Sequence, residues 1–245
     1  MQRGYQSGGV SFGPPVTPPV IKNLLIANVA IFVFFGFFPQ LGEIHRLFMV
    51  TPTAFWKGMF WQPFTYMWLH GGIMHVAFNM FALWMFGTPL ALIWGAKRFL
   101  RYYLLCGVGA GLIIATVPFF VAVMFPEKQA MVNMNTLGAS GAVMGVLLAY
   151  CLTWPDRTLM LLFPPIPIKA IWLLPLLFFM EFTVGPANVS HSGHLGGVLI
   201  GWLLLRRDGH TGSFLPSTKR MKFLYQRYKM RKRLRDASRD RHRPN

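Results

Sequence analysis

The stretch "NTLGASGAVMG", Asn135 to Gly145, sets a single hydroxyl, Ser140, among glycines at the mouth of a long apolar run. Two other apolar runs open with imidazoles. "LHGGIMHVAFNMF" carries His70, His75 and Asn79, and "SHSGHLGGVLIG" carries His191 and His194. A serine hydroxyl is a weak nucleophile near neutral pH until a base accepts its proton, and imidazole has the basicity for that task. Ser140 and His194 are therefore a candidate nucleophile and general base for acyl transfer. The reaction also needs donors for a developing oxyanion. His75 and Asn79, at i and i+4 on one helix face, could supply them together with the backbone N–H of Ser140. No acidic residue lies close to His194 in sequence, so a dyad is expected. Glu181, the only acid inside an apolar run, ends the preceding run and is placed to face the same outer cavity.

These groups need elements that carry them to one depth. The chain is 54% hydrophobic and only 13% charged over 245 residues, with a mean hydropathy of +0.44, which excludes an ordinary soluble domain. Apolar runs at roughly 21–38, 72–94, 99–125, 138–154, 167–184 and 191–205 each approach the ~17–25 residues that cross a hydrocarbon core. The expected fold is an all-α membrane protein, a bundle of six transmembrane helices over residues 21–205. The first run has no small-x-small cleavage pattern after it and reads as a retained span. Residues 1–20, rich in Gly and Pro, read as a disordered tail. The segment from Pro39 to Pro63 mixes Phe48, Phe55, Trp56, Phe60 and Trp61 with polar residues, which predicts a segment lying in the membrane interface.

Basic residues set the orientation. Arg3, Lys22, Lys97, Arg98, Arg101, Arg157 and Lys169 flank the runs on one side, while the alternate loops hold Arg46, Lys57 and Lys128. Residues 206–245 form a basic tail with 14 Lys or Arg, the main source of the net +17 charge. Both termini are expected in the cytoplasm, so the even-numbered runs enter from outside and all three polar clusters fall in the outer half of the membrane. The tail serves as an orientation signal and could lie on anionic lipid. No nucleic-acid motif accompanies its charge, so no nucleic-acid partner is expected.

Glycine spacing predicts which helices touch. Gly141 and Gly145 are four apart, as are Gly193, Gly197 and Gly201, giving two stripes along which backbones can approach. Close packing of those runs would bring Ser140 to His194. Two other readings stand beside this one. Ser140 could be a small packing residue, with His75 and Asn79 as interhelical hydrogen-bond partners. His70, His75, His191 and His194 could instead hold a metal or haem, but that reading leaves Ser140 and its glycines unexplained, and the His-Glu-x-x-His signature is absent. Cys106 and Cys151 lie inside apolar runs, with no metal spacing. No metal or cofactor is expected.

"GASG" around Ser140, "HGGIMHVAFN" in an earlier run and "HLGGVLIG" in the last, in that order across about 21–205, together resemble the rhomboid family of intramembrane serine proteases. The resemblance implies the family's six-helix fold, Ser140 as nucleophile, His194 as general base, and His75 and Asn79 at the oxyanion hole. Gly138 and Gly141 would belong to the Gly-x-Ser-Gly turn, with His70 in support. Single-span membrane proteins cut near the outer face would be the substrates, and a bacterial cytoplasmic membrane the expected location. The sequence departs from the family in two places. Trp61 is followed by Gln62 where the family often has Trp-Arg, and Met144 stands where many members place an aromatic ring.

Overall fold

The computed structural model describes residues 13–14, 16–161, 165–183 and 191–207. Most of the expected N-terminal tail, the segment 184–190 and the basic tail from 208 onward lie outside the described residues.

Helix α1, Pro19–Phe37, begins with a proline in its first turn, where the missing N–H costs nothing. It ends before Pro39, whose ring disfavours helical backbone at Phe38. Ile21, Leu24 and Asn28 face inward, while Val33, Phe34 and Phe37 are exposed as a lipid-facing surface would be. Three short helices follow: α2 (Gly42–Leu47), α3 (Pro52–Trp56) and α4 (Gln62–Thr65). Next comes α5, Ile73–Ala82, which passes through a wide π turn at Leu83–Gly87 into α6, Thr88–Trp94. Pro89 lacks the N–H that a continuous α ladder needs at this point, and the wide turn absorbs the defect. Helix α7 runs from Ala96 to Met124, and a 3₁₀ segment, Pro126–Asn133, leads toward α8, Ser140–Thr153. The last helices among the described residues are α9, Leu173–Thr183, and α10, His191–Arg207.

Among the described residues, Pro19–Phe37, Ile73–Trp94 and Ala96–Met124 are long and apolar enough to cross a membrane. Ser140–Thr153 and Ala170–Thr183 are apolar but shorter. The protein is an all-α membrane protein, and the described residues also hold one small hairpin, in which β1 (Thr158–Met160) pairs antiparallel with β2 (Pro167–Lys169). This corrects the expectation that the fifth apolar run is helical from residue 167. Pro165 and Pro167, two residues apart, would each remove an N–H and crowd the preceding turn of a helix, and the segment stays extended: Leu159 faces Ile168, and helical backbone starts only at Ala170.

The aromatic segment between α1 and α5 holds the approach to Ser140. Val50 and Thr136 exchange backbone hydrogen bonds of 2.9 and 2.8 Å. Thr51 and Thr53 donate their hydroxyls to Asn135 and Asn133. Gln62, fully buried, accepts from the Thr51 N–H at 3.1 Å and donates to Leu47 O at 3.4 Å, while Trp61 donates to the same carbonyl at 3.0 Å. A neutral amide at position 62 thus ties α4 to the segment between α2 and α3 without a cation. Trp56, Phe60, Trp61 and Phe64 remain exposed on this segment, the arrangement expected of rings resting at headgroup depth. Trp56 also donates to Ala115 O, fastening the segment to α7.

Candidate active site

Ser140 is the first residue of α8, so its N–H is among the four that no intrahelical carbonyl can satisfy. The turn before it is fixed by Gly138, whose N–H donates to Tyr66 O at 3.0 Å and whose φ is +130°. That conformation suits glycine, and space demands glycine as well: a Cβ there would lie 2.7 Å from His75 Nε2 and 3.7 Å from Ser140 Oγ. The serine hydroxyl and the ring nitrogen of His75 therefore flank one point in space.

The hydrogen bonds of His75 decide what that nitrogen offers. Its Nδ1 accepts from the Gly71 N–H at 3.3 Å, which leaves the proton of the neutral ring on Nε2, the atom beside Gly138 and Ser140. A donor thus points into the space beside Ser140 Oγ. Asn79 is buried and donates from Nδ2 to His75 O at 2.9 Å, which uses one of its two amide protons and steadies the turn carrying His75. His70 is 5% exposed and packs edge-on against the His75 ring, with centroids 5.1 Å apart. Burial, with the neighbouring His75 as a smaller cause, pushes the His70 pKa down to about 4. His70 is therefore a neutral support for His75 at ordinary pH.

Glycines bring the second imidazole to the first residues of α8. A Cβ at Gly197 would collide with the backbone of Gly141, and one at Gly141 would sit 3.3 Å from Gly193 O. One turn further on, a Cβ at Gly145 would lie 3.2 Å from Gly197 O and one at Gly201 3.1 Å from the Gly145 Cα. The two stripes meet as their spacing predicts, and α8 and α10 touch backbone to backbone. Gly141 follows Ser140 and Gly193 precedes His194, so this contact fixes the separation of the two side chains. Among the described residues no hydrogen bond joins Ser140 Oγ to His194, and catalytic hydrogen bonds often tighten only with substrate present.

His194 has an acidic partner that its sequence neighbours do not supply. Glu181, near the end of α9, contacts His194 Nδ1 at 2.8 Å through one carboxylate oxygen and His191 Nδ1 at 2.7 Å through the other. The acid is 13 residues from His194 in sequence, and only the packing of two helix ends brings them together. Its position as the one acid within an apolar run was the available signal, because a charge in that setting needs a partner. Tyr66 was not singled out by sequence reasoning, yet its carbonyl holds Gly138 and its hydroxyl donates to Gly107 O at 2.8 Å. Met144 is buried in α8, and the aromatic contact near these imidazoles is instead Phe182, stacked on His191 at 4.6 Å. No group of three or more His, Cys, Asp or Glu among the described residues could hold a metal ion.

Residues 57–208 match the Rhomboid domain family. The chain belongs to the rhomboid family. Similar rhomboid proteins include the RHOMBOID-like protein 12, mitochondrial, of Arabidopsis thaliana, 31% identical over 77% of this chain and 59% of that protein. Rhomboid protease GluP of Bacillus subtilis is 32% identical over 60% of this chain and 25% of its own length. The bovine presenilin-associated rhomboid-like protein, mitochondrial, is 28% identical over 74% of this chain and 46% of its own length. The chain thus spans between about a quarter and three fifths of these rhomboid relatives.

Proposed function

We infer that this rhomboid is an intramembrane serine endopeptidase that cleaves single-span membrane proteins near the outer membrane face. The observation that carries this reading is the meeting of Ser140 Oγ and the protonated Nε2 of His75 around the cradle of Gly138, beside the glycine contact that leads to His194. In the proposed reaction the His194 Nε2 takes the Ser140 proton as Oγ attacks the scissile carbonyl. The oxyanion receives hydrogen bonds from the Ser140 N–H and the His75 Nε2–H, with the remaining amide proton of Asn79 nearby on the same helix face. The imidazolium then gives its proton to the leaving amine. Water deprotonated by the same ring releases the acyl group. A similar protein named as a protease supports this reading.

The integral membrane setting follows from the apolar helices and the family. A bacterial cytoplasmic membrane draws no support from relatives named as mitochondrial, and the reading kept is a multi-pass protein with both termini on one side of its membrane. The rival function, a rhomboid relative that binds membrane clients without cutting them, is disfavoured because both Ser140 and His194 are present. A serine-reactive fluorophosphonate separates the two. The purified chain should label, Ser140→Ala and His194→Ala should not, and a panel of single-span substrates should be cut by wild type alone. Labelling that survives Ser140→Ala would sink the assignment of the nucleophile.

A further inference from the structure

Serine–histidine chemistry gains from two further things: a ring held in one tautomer, and an offset for the charge that appears when it takes the proton. Glu181 is placed for both. Its side chain is only 8% exposed, and each of its oxygens meets an imidazole Nδ1, at 2.7 Å for His191 and 2.8 Å for His194. An ionised carboxylate can only accept hydrogen bonds, so each Nδ1 facing it carries its ring's proton and each Nε2 keeps its lone pair. For His194 that is the tautomer a general base needs, with Nε2 free to accept from a hydroxyl.

The second imidazole fixes the acid itself. A carboxylate held by one hydrogen bond can swing about its last torsion, but one held at both oxygens by rings three residues apart on α10 has its plane set. His191 is in turn stacked on Phe182, the residue after Glu181, with rings 22° from parallel. The end of α9 and the start of α10 are thereby fastened by two charge-assisted bonds and one ring contact, all converging on the orientation of His194. Among the described residues, His75 on α5 also interacts electrostatically with His194. It is already committed at Nδ1 to the Gly71 N–H, and as a donor at Nε2 it cannot replace the acceptor that His194 requires.

We propose that Glu181 is a positioning residue, the third member of a Ser140–His194–Glu181 relay, held in place by His191. It orients His194 with Nε2 toward the nucleophile and offsets the positive charge that the ring gains in the transition state. The proton goes from Ser140 Oγ to His194 Nε2 and later to the leaving amine, while the Nδ1 proton stays on the ring throughout. This role rests on the protease reading above.

The test uses the full chain in detergent or liposomes, a single-span substrate and the fluorophosphonate probe. Glu181→Ala and Glu181→Gln should lower both kcat and the labelling rate of Ser140 by about 10-fold or more, since displacing the acid of such a relay costs up to ~10⁴-fold elsewhere. KM should stay within about twofold. Glu181→Asp, which keeps the charge, should recover part of the loss. The ¹⁵N spectrum of His194 should show a proton on Nδ1 in wild type and a mixture of tautomers in Glu181→Ala. If Glu181→Ala labels as fast as wild type, the positioning role is overturned while the protease reading stands. A loss that Asp does not relieve and that tracks a fall in thermal stability also overturns it, because that is what a merely structural acid would give. A wild-type chain that neither labels nor cleaves overturns the protease reading, and this role with it.

Discussion

His70 couples burial to pH. Its ring sits in the turn just before α5, nearly sealed from solvent, and burial first and the adjacent His75 second hold its pKa at about 4 against an ordinary value of 6.5. The unfolded chain protonates this imidazole as pH falls through 6.5, whereas the folded chain resists until about 4. Between those values the unfolded state binds more protons, so stability drops as pH is lowered across the window and levels off below it. His45, also lowered by burial, acts with the same sign. The expected size for His70 is roughly 3 kcal/mol, at ~1.4 kcal/mol per unit of displacement. His70→Asn, which cannot titrate, should flatten the pH dependence of the thermal midpoint between pH 6.5 and 4.5. A midpoint that falls as steeply in the variant as in wild type would show that the destabilisation has another source. The residue types of this site were legible because hydroxyl, imidazole and glycine stand in fixed order within apolar runs. The roles of individual nitrogens were not legible. Whether His75 Nε2 donates depends on the Gly71 N–H reaching Nδ1, a contact across a turn that spacing alone does not specify.

At the scale of elements, the decisive contact is the crossing of α8 and α10. A methyl group at Gly197 would fall on Gly141 O, with Gly141 C and Cα behind it, so the obstruction is backbone rather than a side chain that can rotate away. Relieving it means separating the helices that carry Ser140 and His194. Overpacking of this kind costs ~1–3 kcal/mol, and Gly197→Ala should both lower the thermal midpoint and slow fluorophosphonate labelling of Ser140 by about 10-fold. Gly36 on α1 is the contrast: nothing lies within 4 Å of where its Cβ would be. Alanine is favoured over glycine in a helix by ~1 kcal/mol, so Gly36→Ala should leave labelling as it is and hold or raise the midpoint. Equal effects at the two positions would remove the argument that the stripe matters. The stripes could be read in advance because a four-residue spacing of glycines is a local pattern. The hairpin of β1 and β2 and the Glu181 clamp could not. The first replaces a helix that hydropathy favours but closely spaced prolines disfavour, and the second depends on how α9 is rotated about its axis, which its nearly uniform apolar sequence leaves undetermined.

For the molecule as a whole, the arrangement in the membrane follows from how many times the chain crosses between two marked points. Glu43 lies on exposed α2, after α1, and Asp156 lies in the exposed turn after α8, paired with Lys169 across the hairpin at 3.4 Å. Between them run Ile73–Trp94 and Ala96–Met124, each long enough to span, and the shorter α8. If α8 completes a crossing despite its 14 residues, the count is odd and the two points face opposite compartments. The short helix has help in doing so: it is buried on nearly all sides, from Gly141 through Cys151, so protein rather than lipid surrounds it and the usual length requirement is relaxed. Cysteines introduced as Glu43→Cys and Asp156→Cys should therefore react from opposite sides of sealed vesicles with a membrane-impermeant maleimide. The native Cys106 and Cys151 are 0% and 1% exposed and should contribute little background. The basic residues place Arg157 and Lys169 on the side of the termini and Arg46 on the other, so the position-156 thiol should be the one sharing a compartment with the N-terminus. Reaction of both thiols from one side would mean that α8 enters and leaves by the same face. Ser140, two crossings after Glu43, would still lie on the face of Glu43, and the assignment of α8 as a membrane span would have to be given up.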